Sequence, residues 1–185
     1  MPKQLDPTLI SKAMAGDRQS FRYVVESYQG FLYGIAYRYL ANEADAEDAV
    51  QEAFVKLWRN FSKYRPEIKL STWLYRILVN HCLDHKKSSA HRNKLFQVPL
   101  ETSLQHGGID TPLNKLTGKE LAEVHQLAIE QLIGKQKMIY VLREMQDLEP
   151  IEICHLMSMN EDQVKSNLYH ARKKVQEFIK RQYLK

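Results

Sequence analysis

The sequence predicts an all-α fold of two small helical domains joined by a linker, the second domain a helix-turn-helix. Three observations carry this expectation. Only 7 Gly and 6 Pro occur in 185 residues, too little turn material for a many-stranded sheet. Apolar residues recur at helical spacing through most of the first 87 positions and again from Gly118 to the end. Between about Ser88 and Thr117 that periodicity fades, and Pro99, Gly107, Gly108 and Pro112 gather in a stretch of scattered polar residues. The expected boundaries are residues 1–90, a linker over 91–117, and a C-terminal domain over 118–185.

The first helix is expected to start at Asp6, with Pro7 in its first turn. Gly16-Asp17 ends it and caps the next, in which Phe21, Val24, Val25, Tyr28, Leu32, Ile35, Ala36 and Tyr39 keep helical spacing. Asn42, with Asp45 three residues on, resembles a capping box opening a third helix. The buried stripe of that helix is Ala46, Ala49, Val50, Ala53, Leu57 and Phe61. Pro66 places a loop at KYRPEIK, and a fourth helix follows from about Ser71 to Lys87, with Trp73, Leu74, Ile77 and Leu78 inward. In the second half, Ile139, Leu142 and Met145 mark one helix, and Pro150 opens a short second one with Ile153, Leu156 and Met157 inward. Met157-Ser158-Met159 makes a tight connection. Asn160 and Gln163 cap a last helix whose stripe is Val164, Leu168, Ala171, Val175 and Phe178. No internal repeat is visible.

Composition narrows the class. Hydrophobic residues make up 44% and charged residues 26%, ordinary for a globular protein. The net charge of +5 is compatible with nucleic acid, but where the charge sits matters more than its total. Cys82 and Cys154 lie far apart and outside any CxxC pair, which points to a reducing cytoplasm. The N-terminus lacks the apolar core of a secretion signal, and no apolar run approaches the roughly 18–20 residues of a membrane span. The expectation is a soluble protein with no direct membrane insertion.

The segment from Asp45 to Asn80 is the most informative. Glu43, Asp45, Glu47, Asp48 and Glu52 fall together with no Lys or Arg between them. Lys56, Arg59, Lys63, Arg65, Lys69 and Arg76 follow, opposed only by Glu67 and interleaved with Phe54, Trp58, Phe61, Tyr64, Trp73 and Tyr75. An acidic helix does not suit a phosphate backbone but can dock on a basic protein. A basic, aromatic stretch suits a nucleic acid with exposed bases, because phosphates need cations and unstacked bases need flat surfaces. The last helix presents Lys165, Ser166, Tyr169, Arg172 and Lys173 on one face, as the second helix of a helix-turn-helix does toward the major groove. Plainer readings exist for each feature. Asp45 and Asp48 favour any helix N-terminus, Trp58 and Trp73 fit a core at their spacing, and a basic face can simply be solvated.

Together, DAEDAVQEAFVKLW, STWLYRILVN, LIGKQKMIYVLRE and EPIEICHLMSMNEDQVKSNLYHARKKV resemble the bacterial sigma factors of RNA polymerase, specifically the extracytoplasmic-function (ECF) group. The resemblance covers nearly the whole chain outside the linker. It implies a specificity subunit without catalytic activity or cofactor, which binds core polymerase through its β′ clamp helices and β flap. Asp48, Gln51, Glu52, Phe54 and Trp58 match the polymerase-docking face. Lys63 to Leu70 match the loop around a base pulled from the stack, and Asn80 matches a position lining that pocket. On this reading Lys63, Arg65, Lys69 and Arg76 hold phosphates of the minus-ten element, and Tyr64 or Trp73 supplies a flat face. Gln163, Lys165, Ser166, Asn167, Tyr169, His170, Arg172 and Lys173 would face the minus-thirty-five duplex. The resemblance also implies both duplex and single-stranded promoter DNA as partners. It further implies an anti-sigma factor, often membrane-anchored, and a cytoplasmic protein that joins the nucleoid when active or is held at the inner membrane when not.

The chain departs from the pattern in places. Ser158 stands where the family commonly has Gly, in a conformation that costs Ser something. Asn167 and His170 replace two basic positions, so recognition should lean less on charge, and Gln163 or Asn167 could pair with adenine. The chain has neither the long N-terminal extension of primary sigma factors nor an extra C-terminal domain, which favours the ECF group. His81 and His85 are spaced for a metal, but no second ligand cluster accompanies them, and Cys154 reads as a plain buried thiol. No phosphate-binding Gly loop, nucleophile elbow or carboxylate pair for acid–base work is evident. Two other readings remain: a stand-alone dimeric helix-turn-helix regulator, and an interaction protein that has lost DNA binding.

Overall fold

In the computed structural model the described residues are 5–95 and 118–183, with side chains described to residue 85 in the first stretch. They form α1 (Pro7–Met14), α2 (Arg18–Leu40), α3 (Glu43–Asn60), a 3₁₀ turn (Phe61–Lys63), α4 (Leu70–Leu95), α5 (Gly118–Glu130), α6 (Gly134–Tyr140), a π turn (Val141–Met145), α7 (Pro150–Met157) and α8 (Glu161–Tyr183). The fold is all-α, as expected. The expected linker falls largely outside the described residues, and α4 runs on to Leu95, past the expected domain end at 90.

Short polar side chains start the helices where the sequence placed them. Asp6 accepts from the Thr8 N–H at 2.7 Å and Asp17 from the Ser20 N–H at 2.8 Å. Gly16 makes the break between α1 and α2 at φ 93°, a conformation open to glycine. Asn42 accepts from the Asp45 N–H at 3.0 Å, and Glu43 and Asp45 place negative charge where the helix dipole favours it.

The N-terminal core is built by α2, α3 and α4. Leu32, Ile35, Ala36, Ala46, Ala49, Ala53, Leu57, Leu74 and Leu78 are fully buried there. Small Ala side chains on α3 let its backbone approach its neighbours while its acidic side stays outward. Phe61, also buried, anchors the 3₁₀ turn that leads into the Pro66 loop.

The C-terminal helices close over Ile129, Met138, Ile139, Leu142, Ile153, Val164 and Ala171. They also pack against the first domain, α7 and α6 on α4 and the π turn on α2, so that one apolar core runs through both halves. Lys137 of α6 is only 3% exposed, with its ammonium 5.8 Å from the centre of the Tyr39 ring of α2. A cation over a ring face recovers part of the hydration it loses. Arg76 of α4 donates to the Ser158 hydroxyl at 3.0 Å, joining the two domains at the turn of the helix-turn-helix. Gly34 lies where the chain leaving the π turn meets α2: a Cβ there would come within 3.2 Å of Gln146 Nε2.

Candidate polymerase and nucleic-acid interfaces

On α3, Asp48 and Gln51 are exposed and Glu52 is half-buried, with Asp48 and Glu52 one turn apart on one face. Phe54 and Trp58 point toward α2 instead. With Phe21, Val25, Tyr33 and Val50 they line an apolar cleft of about 1070 Å³ between α2 and α3. Phe54 is buried, while Trp58 is 38% exposed and tilts against Phe21 with ring centres 4.7 Å apart. Trp58 is therefore neither core nor free surface; it walls a cleft that opens to solvent. Of the five residues expected to dock on polymerase, Asp48 and Glu52 thus form a polar face, Phe54 and Trp58 an adjoining apolar recess, and Gln51 lies at the edge where the two meet.

His81 and His85 lie on α4 beside this helix. His85 Nε2 stands 3.8 Å from Asp45 Oδ1, and the two imidazoles are 6.5 Å apart between centres. Burial, helped by the nearby Lys56, holds His81 below the usual histidine range. Among the described residues no three His, Cys, Asp or Glu side chains converge on a metal-sized point. Burial pushes the Cys82 thiol up to about 12, so it is a packing residue and not a nucleophile.

Tyr64 organises the Pro66 loop. Its hydroxyl donates to the Ile68 carbonyl at 2.7 Å, and its ring stacks on Trp73 at 5.6 Å and 23°. Tyr64 is itself buried, so of the two rings expected to offer a flat face, Trp73 is the one left half-exposed. Burial raises the Tyr64 hydroxyl above its ordinary value, with Glu67 adding to the effect. The pinned loop carries Lys63, Arg65 and Lys69 outward, all exposed. Trp73, Arg76 and Asn80, at three- and four-residue steps along α4, share a face, with Arg76 and Asn80 exposed.

In the C-terminal domain, α7 begins at Pro150, with Glu152 accepting from the Glu149 N–H at 3.0 Å. It ends at Ser158 with φ 50° and ψ 51°, the left-handed conformation that a glycine takes at less cost. Asn160 and Gln163 form a reciprocal cap on α8, at 2.8 and 3.1 Å. The outer face of α8 carries Lys165, Ser166, Tyr169, His170, Arg172 and Lys173, all exposed, with Tyr169 reaching 63%. Asn167 is half-buried, and its amide donates to the Gln163 carbonyl at 2.8 Å. Gln163 has its side-chain oxygen committed to the cap. Asn167 keeps its oxygen and a second N–H, which makes it the better placed of the two for adenine.

Three cations of this face are already paired: Lys165 with Glu161 at 3.1 Å, Lys173 with Glu177 at 4.0 Å, and Arg172 with Glu144 of the π turn at 2.6 Å. Sequence reasoning did not anticipate Glu144, Lys137 or the His125–Tyr140 hydrogen bond of 2.9 Å. Glu144 lies in the π turn, where the helical phase departs from the spacing assumed, while Lys137 and His125 owe their roles to partners on other elements.

A two-domain helical protein with an outward acidic helix, a pinned basic loop and a helix-turn-helix has the parts expected of a transcription initiation factor. Two family models match it, Sigma-70 region 2 over residues 24–92 and Sigma-70 region 4 over residues 115–175. The ECF RNA polymerase sigma-E factor of Escherichia coli (strain K12) is 31% identical over 192 residues, covering 98% of this chain and 100% of the relative. The sigma-E factor of Haemophilus influenzae is 29% identical over 186 residues, covering 97% of this chain and 98% of the relative. Among solved structures, CnrH in complex with the cytosolic domain of CnrY matches with a TM-score of 0.68 at 21% identity, over 93% of this chain and 95% of that one. The sigma factor RpoE bound to the anti-sigma factor NepR from Bartonella quintana matches with a TM-score of 0.67 at 19% identity, over 88% and 98%. The chain belongs to the ECF sigma factors of bacterial RNA polymerase. Proteins of this family are specificity subunits and not catalysts.

Proposed function

We propose that this sigma factor docks on the clamp helices of core polymerase through Asp48, Gln51 and Glu52, with Phe54 and Trp58 presenting the adjoining cleft. The loop of Lys63, Arg65 and Lys69, with Trp73, Arg76 and Asn80 on α4, then captures the opened strand of the minus-ten element. The α8 face from Gln163 to Lys173 meets the minus-thirty-five duplex. The observation that carries this reading is the juxtaposition on one small domain of an outward acidic helix and a loop with three exposed cations, pinned beside a half-exposed Trp. One surface suits a basic protein and the other suits phosphates and unstacked bases. Strand opening costs a few kcal/mol per base, which capture of flipped bases and polymerase contacts must offset.

In the compact arrangement Arg76 is engaged by Ser158, so a residue proposed to hold minus-ten phosphates also takes part in the contact between the two domains. An anti-sigma factor is the partner this reading implies; one structural neighbour was solved with the anti-sigma factor NepR and another with the cytosolic domain of CnrY.

Reconstitution with bacterial core polymerase tests the proposal. The expected result is a stable complex that opens promoter DNA and yields run-off transcripts, weakened by D48A or E52A at the binding step and by N80A at the opening step. Absence of any complex, with dimeric binding of duplex DNA by the free protein, would instead support a stand-alone regulator.

A further inference from the structure

Arg172 is the basic residue of the α8 face whose carboxylate partner comes from another element. Its Nη2 and Nε both donate to one oxygen of Glu144, at 2.6 and 3.1 Å. The pair bridges residues 28 positions apart, whereas Lys165 and Lys173 are paired within α8 at the four-residue spacing that any helix provides. Glu144 sits in the π turn, and a π turn changes where the following side chains point relative to a plain α-helix. The Glu144 side chain is 30% exposed and that of Arg172 is 55% exposed. An ion pair at that exposure adds little to stability, so holding the fold is a weak reason for it.

The geometry has a chemical consequence. A guanidinium can make paired hydrogen bonds along two edges, the side edge of Nε and Nη2 and the end edge of the two Nη atoms. Glu144 takes the side edge. What remains is the end edge, presented in a fixed direction and partly neutralised by the carboxylate behind it. A freely swinging Arg is drawn to the nearest phosphate, whereas one held this way is suited to the O6 and N7 of a guanine in the major groove.

We infer that Glu144 is a positioning residue for promoter reading, which turns Arg172 from a phosphate contact into an oriented guanine reader. This rests on the proposed role of α8 as the duplex-reading helix. Glu144 itself touches no DNA on this account; it acts by aiming Arg172 and by cancelling its pull on the backbone.

The test uses the full chain bound to core polymerase and a pool of duplex promoter fragments randomised at the upstream element, with affinity followed against salt. R172A should lose selection at one base pair, which marks the position that Arg172 reads. E144A should lose about tenfold of the selection at that same position. Its salt dependence should steepen by up to about 0.9 in the logarithmic slope, because a guanidinium has been released to a phosphate. E144Q, which keeps an acceptor but not the charge, should steepen the slope while retaining most of the base preference. A variant that was merely less stable would weaken all sequences alike. E144A with unchanged selection and slope overturns the role of Glu144 alone. R172A with wild-type selection at every upstream position overturns Arg172 as a base reader and this inference with it, whereas a wild-type protein that shows no upstream selection at all overturns the α8 reading beneath it.

Discussion

The loop at Pro66 and the outer face of α8 are both basic and both proposed to meet DNA, yet they hold their cations differently. Among the described residues Lys63, Arg65 and Lys69 make no ion pair, and the loop that carries them is fixed by a Tyr64 hydroxyl and a Tyr64–Trp73 stack. On α8, Lys165, Arg172 and Lys173 each face a carboxylate. The first arrangement leaves full charges for phosphates that are exposed once strands part. The second tempers charge and favours direction, as reading a closed duplex by base edges requires. Two basic patches can thus serve different purposes, and what separates them is the company each cation keeps.

The largest expected effect tests that contrast. Replacing Lys63, Arg65 and Lys69 together with Ala should make the salt dependence of open-complex binding shallower by about 2 logarithmic units, at roughly 0.7 per single-strand phosphate. Replacing Lys165 and Lys173 should change the corresponding upstream slope by less than one. Equal changes in filter-binding titrations would break the comparison.

Next in size is W73A. Loss of its half-exposed ring should cost about 1–3 kcal/mol of strand capture per stacked base, read as reduced permanganate reactivity of the opened strand. W73F should recover much of it. If W73A instead lowers only the melting temperature, the ring is core and the loop side of the comparison loses its stacking surface.

A smaller effect concerns pH. His125 is held below its ordinary value chiefly by burial, with Arg38 acting the same way and Glu144 opposing, while its Nε2 bonds the Tyr140 hydroxyl. The fold therefore prefers neutral His125, and the unfolded chain takes up the proton first. Stability from this group is full above the unfolded value of 6.5 and declines as the pH falls below it toward the folded value. Chemical denaturation between pH 7 and 5 should show the loss, and H125Q should flatten it.

The smallest effect is at the joint between the regions. S158G should relieve left-handed strain of about 1 kcal/mol while giving up an exposed hydrogen bond worth about as much or less, so its net change should be near zero or slightly stabilising. R76A should destabilise by under about 1 kcal/mol in the wild type and by nothing in the S158G background. A double-mutant cycle with no coupling would remove this contact from the closed form.

Much of this was legible in the chain. The caps at Asp6, Asp17, Asn42 and the Asn160–Gln163 pair, the tight turn at Ser158, and most of the buried stripes of α3 and α8, with Val50 and Phe178 only partly buried, follow from local rules: short polar side chains satisfy free N–H groups, and helical spacing sorts faces. The exposed loop cations and the acidic face of α3 were equally readable, because a solvated side chain depends little on distant residues. Aromatic residues were harder. Tyr64 and Trp73 are equivalent in sequence as flat surfaces, and only packing buried one and left the other half-open.

By itself, then, the sequence determined the helix order of the first domain and of the helix-turn-helix, the caps, most of the core stripes and the charge pattern of those helices, since all rest on neighbours within about one turn, while the division of 118–145 into α5, α6 and a π turn did not follow from it. Tertiary structure alone decided that the domains share a core, that Lys137 lies over Tyr39, that Arg76 meets Ser158, and that Glu144 takes one edge of Arg172. Those pairings join residues 28 to 98 positions apart, where no periodicity carries information and shape complementarity makes the choice.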